Sequence, residues 1–302
     1  MMMMSAEDLG FLLALLLSGA SIGLMYSLIA LGFVLVYKAT DAINFAQGEF
    51  VMMAGLIAAA VLGIEGSLLI AAVVATLAVM IGFGFALERV VLRPLLGRPV
   101  VAVIMATIGL AAILRGLTPI VFGSGTRGVT LPIGDDPINI GAASLPPIQV
   151  LGAAVAILFF LAFNWFFKKS RMGVAMRAVA DNQQVAQAMG INVERYFALA
   201  WAMTGVVSAL GGIIWGSMLG VDIQLALVGL KVFPVVILGG LDSIGGALLG
   251  GLIVGIIESL AAGYLDPYVG GGTKDFAPYV LMILVLMIRP YGIFGRRQIE
   301  RV

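Results

Sequence analysis

Hydrophobic positions along this chain fall in long runs, not in the alternating or three-to-four-residue patterns of half-buried elements. In order, the apolar stretches are residues 9–37, 50–64, 66–87, 100–122, 148–167, 197–221, 223–241, 244–265 and 276–294. Residues 9–37, 66–87, 148–167 and 197–221 contain no charge at all. As helices, each of these is long enough to cross a hydrocarbon core of about 30 Å. Others are interrupted by a polar group: Arg115 in the fourth, Lys231 in the seventh, Glu258 in the eighth, and Arg289-Pro290 in the last. The pattern predicts an all-α polytopic membrane helix bundle of eight to nine spans with broken helices, in a single transmembrane domain covering 1–302. Stretch 50–64 is short enough to be a half-crossing.

Composition agrees. Hydrophobic residues make up 62% of the 302 positions and charged residues 11%, against roughly 45–50% and about 25% in a soluble globular domain. So few charges do not cover a soluble surface of this size. The absence of Cys and His excludes disulfides, thiol nucleophiles, Cys-ligated metals and imidazole relays. No GxxxxGK[ST] occurs, so the chain carries no P-loop of its own. Its start, with Glu7 and Asp8, lacks the basic flank of a secretory signal.

The net charge of +1 decides nothing, whereas the placement of charge is informative. Basic residues collect at Lys38, in 88–99 (Arg89, Arg93, Arg98), in 168–196 (Lys168, Lys169, Arg171, Arg177, Arg195) and at the C-terminal end (Arg289, Arg296, Arg297, Arg301). The positive-inside rule assigns these segments to the cytoplasm, and the spans between them alternate consistently if 223–241 crosses despite Lys231. Thirteen of 17 basic residues then lie inside, the N-terminus lies outside and the C-terminus is cytoplasmic. The longest exterior connection, 123–147, holds five Gly, four Pro and Asp135-Asp136. It reads as turns, either a linker or a docking surface.

Two interruptions carry candidate chemistry. Asp41 to Glu49, with Asn44, Gln47 and Glu49 closely spaced, precedes a short apolar run. This fits either a turn or a broken helix whose irregular backbone lines a cavity. Late in the chain, Gly239-Gly240-Leu241-Asp242-Ser243-Ile244-Gly245-Gly246 is too rich in glycine to remain helical. Gly246-xxx-Gly250, Gly251-xxx-Gly255 and Gly212-xxx-Gly216-xxx-Gly220 have the spacing of close helix packing. Paired interruptions of this kind point to a transporter's midplane pathway, and Asn44, Gln47, Glu49, Lys231, Asp242 and Ser243 are its candidate residues. Lys231 either snorkels, pairs with a carboxylate or meets an anionic substrate group. In the basic loop, Asp181 to Gln184 has the form of a capping box, with a short helix over 182–189, Gly190 as its left-handed terminator and Asn192 capping the next helix.

Asn44 to Glu49, Glu88 to Pro94, Ser170 to Gly173 with Met189 to Asn192, Leu238 to Gly246, and the end from Tyr279 to Gly295 together resemble LivH-type permeases of branched-chain amino-acid ABC importers. The likeness runs nearly end to end, with Gln47 standing where that pattern more often has His. The resemblance implies a pathway-forming subunit of the bacterial inner membrane for branched-chain or other hydrophobic amino acids, with urea, short amides or aromatic acids as the alternative cargo. It implies as partners a LivM-type second permease, two cytoplasmic ABC ATPases, an extracytoplasmic binding protein and the lipid bilayer, with no nucleic acid. No cofactor is expected on this chain; ATP and Mg would belong to the ATPases. Segment 177–190 becomes a candidate coupling helix, with Arg177, Asp181, Ala186 and Gly190 as its residues. The rival readings are an ion-coupled secondary transporter, which needs more intramembrane carboxylates, and an intramembrane hydrolase, which needs facing catalytic groups.

Overall fold

Apolar runs in this chain become helices because a backbone in hydrocarbon must satisfy its own N–H and C=O groups. The computed structural model describes residues 6–64, 68–95, 97–134, 136–141 and 143–295, with side chains from residue 8. The long helices are α1 (Ala6–Thr40), α3 (Leu69–Leu87), α4 (Val100–Phe122), α5 (Pro147–Lys169), α8 (Val193–Leu219) and α10 (Ile244–Tyr264). The shorter ones are α2 (Gln47–Leu62), α6 (Arg171–Asp181), α7 (Gln183–Ala188), α9 (Val228–Gly239), α11 (Asp266–Val269) and α12 (Thr273–Ile288). Among the described residues, six helices are long and apolar enough to span a bilayer; Gln47–Leu62 and Ile223–Gly239 are apolar but shorter. The protein is therefore a helical, multi-pass membrane protein.

The expectation of an all-α chain needs one amendment. Within the long connection, β1 (Ile138–Ile140) and β2 (Ala143–Leu145) pair antiparallel, Ile138 opposite Leu145. Gly141, at φ +63°, opens the turn between them, a backbone state open to glycine. Asp135 lies outside the described residues.

The chain forms two compact units. The first comprises Met1–Ala30, Ile133–Phe159 and Lys231–Val302, the second Leu31–Pro132 and Phe160–Leu230. Each contains one helix interruption: 41–46 in the second unit and 240–243 in the first.

Close helix contact in the first unit is set by glycine. A Cβ on Gly255 would sit 2.5 Å from Gly23 Cα, and one on Gly19 would lie 2.7 Å from the Gly255 carbonyl oxygen. On another face of α10, Gly250 and Gly246 meet α9, where a Cβ on Gly250 would approach Gly239 N to 3.1 Å. The two GxxxG repeats thus serve two neighbours, as their missing side chains allow. In the second unit, Gly84 of α3 lies against the Trp201 backbone and Gly205 of α8 against the Met80 backbone. Trp201, Phe50 and Met80 are fully buried there, with Phe50 and Trp201 ring centroids 6.0 Å apart. Pairs that close gain dispersion contact along the whole seam.

The second unit also holds a π turn. Residues Glu88–Leu92 continue α3 with the Arg93 N–H bonding to the Glu88 carbonyl, five residues back. That wider turn brings side chains i and i+5 together. The Arg93 guanidinium makes a forked pair with the buried Glu88, at 3.2 and 2.9 Å.

Candidate functional site

The first interruption, in the second unit, is held by its own polar side chains. Asn44 Oδ1 accepts from the Ala46 N–H (3.1 Å), and Asn44 Nδ2 donates to Gln47 Oε1 (3.3 Å). Gln47 Nε2 donates to Ser208 Oγ on α8 (3.1 Å). The Thr107 hydroxyl on α4 accepts from the Phe45 N–H (3.2 Å) and donates to the Ile104 carbonyl (2.8 Å). Irregular backbone inside an apolar fold persists only with such partners. Gly32 leaves room for the Gln47 amide, since a Cβ there would lie 2.8 Å from its Cδ.

Glu49, in the first turn of α2, is 3% exposed and pairs with Arg115 of α4 at 2.5 Å. Its carboxylate also faces the favourable, positive end of the α2 dipole. Asn44 and Gln47 are likewise fully buried. All three therefore act in this structure as internal fastenings of the interruption. The sequence shows Arg115 only as a charge within an apolar stretch, and a lone charge there does not reveal its partner.

The second interruption, in the first unit, is closed differently. Ser243 caps α10, its Oγ accepting from the Gly246 N–H at 2.9 Å. Gly240, at φ +97°, turns the chain. The last carbonyls of α9 are taken by the chain end: Ile293 N–H donates to the Leu238 carbonyl (2.8 Å) and Phe294 N–H to that of Gly239 (3.2 Å). The free carbonyls of a helix end need such donors. Asp242 sits in the turn ahead of the cap, half-exposed.

Lys231, near the start of α9, pairs with carboxylates. Its ammonium lies 2.7 Å from Asp275 Oδ1 on α12 and 3.5 Å from Glu258 Oε1 on α10. Tyr26 Oη donates to the same Glu258 oxygen at 3.3 Å. Glu258 Oε2 is buried and, among the described residues, has no hydrogen-bond partner. Four helices of the first unit thus converge on one charge cluster. Asp275 and Tyr26 were absent from the sequence-based candidates, because nothing in the chain's linear order shows which stretches adjoin.

The basic loop folds as two helices, which corrects the capping-box reading. Asp181 is the last residue of α6, not a cap; Asn182 caps α7, its Oδ1 accepting from the Val185 N–H at 3.0 Å. An acceptor between two abutting helices serves the second only once the first has ended. Ser170 caps α6 and Asn192 caps α8. Gly190, at φ +81°, ends the α7 segment as expected. Gln183 Nε2 donates to the Ala39 carbonyl (3.2 Å), tying α7 to the end of α1. Arg177 and Asp181 are exposed, but Ala186 is only 3% exposed and packs inward. The outward face of α7 carries Val185 and, just beyond it, Met189, which is 78% exposed.

Comparison with known proteins gives a consistent result. The family described as "Branched-chain amino acid transport system / permease component" matches residues 15–287. The high-affinity branched-chain amino acid transport system permease protein LivH of Escherichia coli (strain K12) is 34% identical, over 98% of this chain and 100% of its own length. The corresponding protein BraD of Pseudomonas aeruginosa is 33% identical over 95% and 97%. A probable LivH of Methanocaldococcus jannaschii is 31% identical over 89% and 88%. Among solved structures, PsaBC from Streptococcus pneumoniae in complex with Fab aligns with a TM-score of 0.48 at 15% identity, covering 93% of this chain and 92% of that one. With the helical fold, the paired interruptions and near full-length identity of this order, the chain belongs to the permease-component family of branched-chain amino acid transport systems.

Proposed function

We propose that this protein is a pathway-forming permease subunit of an ATP-driven importer for branched-chain or other hydrophobic amino acids. The observation that carries the reading is near full-length identity to permeases named for that transport, at 34% and 33%. Gln47 gives no reason to assign another substrate. Its amide is fully buried and bonded to Asn44 and Ser208, so it fastens the interruption rather than selecting cargo.

Eight crossings follow if Gln47–Leu62 and Ile223–Gly239 join the six longer helices, and α12 supplies a ninth. In that arrangement the C-terminus and the α6–α7 loop are cytoplasmic, in a bacterial inner membrane. The chain acts with a second permease, an external binding protein and two cytoplasmic ATPases, which hold ATP and Mg. The outward face of α7, with Val185 and Met189, seats on an ATPase subunit. An ordered, capped helix braced on Ala39 transmits a push that a loose connector would absorb.

The test is reconstitution. Proteoliposomes holding this chain, its partner permease and the ATPases should accumulate leucine only with internal ATP and external binding protein. The chain alone should remain inert under sodium or proton gradients. Gradient-driven uptake by the isolated chain would overturn the reading.

A further inference from the structure

Near the α6–α7 end of the second unit lies a cavity of about 220 Å³ that none of the contacts above explains. Its floor is apolar, built by Leu92, Val103 and Trp201, all buried. Trp201 is fully buried, yet its indole N–H has no acceptor among the described residues. A buried donor left unpaired costs about 1–3 kcal/mol. The rim carries one charge of each sign, Asp41 and Arg98, both exposed. Neither forms an ion pair among the described residues, whereas Glu88 in the wall is already paired with Arg93.

Asp41 is the only non-glycine residue with positive φ among those described, at +53°. Aspartate tolerates that conformation better than most residues, and it holds the carboxylate where α1 ends. Although the residue is exposed overall, its neighbours desolvate the carboxylate enough to raise its pKa from the usual value, a cost that an adjoining ammonium group would relieve.

We propose that this cavity binds a free zwitterionic amino acid with a short aliphatic side chain: ammonium at Asp41, carboxylate at Arg98, and side chain on the apolar floor. The volume lies below the roughly 300–1,000 Å³ of pockets that take drug-sized ligands, so the occupant is metabolite-sized. A molecule with one charge of each sign and a hydrocarbon tail matches the two rim charges and the apolar floor. Because Gln183 of α7 also borders the cavity and is bonded to the end of α1, occupancy braces the loop assigned above to the ATPase. The site adjoins the first interruption through Asp41 alone, without Asn44, Gln47 or Glu49 in its lining, and would sense amino acid on the α6–α7 side. Only the choice of leucine as probe rests on the importer reading.

The experiment uses the assembled complex, with partner permease and ATPases but without binding protein or nucleotide, and measures equilibrium binding of radiolabelled leucine. Saturable binding is expected, about tenfold weaker in Arg98→Gln and Asp41→Asn, as loss of a charge-assisted hydrogen bond implies. Val100→Trp, at an exposed rim position, should fill the cavity and abolish binding while the complex still assembles. Leucinamide and 4-methylpentanoate, each lacking one charge, should compete at least about tenfold less well than leucine. No saturable binding, binding unchanged in all three variants, or equal competition by either analogue would overturn the proposal. ATP-driven leucine uptake by the same preparation reports on the importer reading separately. Uptake without cavity binding sinks only this inference, and cavity binding without uptake sinks only that reading.

Discussion

At the scale of single residues, the chain illustrates how an apolar protein keeps its few charges. Lys231 stands beside two carboxylates of unequal environment: Glu258 is 9% exposed, while the Asp275 side chain is 58% exposed. Removing the ammonium leaves the buried Glu258 with Tyr26 as its only named hydrogen-bond donor. Removing Asp275 leaves Lys231 still facing Glu258. Lys231→Met should therefore destabilise the detergent-solubilised protein by roughly 3 kcal/mol, the order seen when a buried pair loses one partner. Asp275→Asn should cost about 1 kcal/mol or less, as exposed pairs do. Thermal unfolding of the two variants side by side decides the point; equal losses would mean that Glu258 does not depend on Lys231. A large drop in uptake by Lys231→Met at unchanged thermal stability would instead restore Lys231 to the substrate path.

Among elements, α10 and α7 give the sharpest contrasts. Gly251 lies against the Gly23 and Ser27 region of α1, whereas a Cβ at Gly245 would meet nothing within 4 Å. Gly251→Val should then cost 1–3 kcal/mol or more by overpacking and reduce the yield of folded protein. Gly245→Ala should fold as the parent, by size-exclusion profile and melting temperature. On α7, Ala186 packs inward and Val185 outward at 57% exposure. Val185→Asp should uncouple ATP hydrolysis from uptake with stability unchanged, and Ala186→Arg should instead lower the melting temperature. An uncoupled Ala186→Arg protein of full stability would reverse the assigned faces. Both interruptions, the four charge-free runs and the terminating Gly190 were legible in the sequence, because hydrophobic length and glycine are local signals. The cap at Asn182 was misassigned by one residue, since Asp181 and Asn182 are both good cap residues and only the end of α6 selects between them. The Glu49–Arg115, Lys231–Asp275 and Gln47–Ser208 partnerships were not legible. They join stretches 44 to 161 positions apart, and packing alone sets which helices adjoin.

For the molecule as a whole, the distribution of basic residues predicts which way the chain faces. Thirteen of 17 basic residues fall in segments assigned to one side, a bias that the membrane insertion process reads as cytoplasmic. Residue 184, on exposed α7, and residue 128, in the long connection after α4, must then face opposite compartments. The assignment requires an even number of crossings from the α3–α4 connection to the α6–α7 loop, which α4 and α5 supply. From that loop to the C-terminus it needs α8, the Ile223–Gly239 segment, α10 and α12 all to cross. If Ile223–Gly239 only dipped into the bilayer, residue 271, between α11 and α12, would move to the side of residue 184. Because the chain has no native cysteine, single Cys substitutions at 128, 184 and 271 can be labelled in intact cells with a membrane-impermeant maleimide. Labels at 128 and 271, with 184 reactive only after permeabilisation, would fit crossing by every one of these segments. Protection of 271 would make Ile223–Gly239 re-entrant and leave Lys231 near a turning point within the membrane.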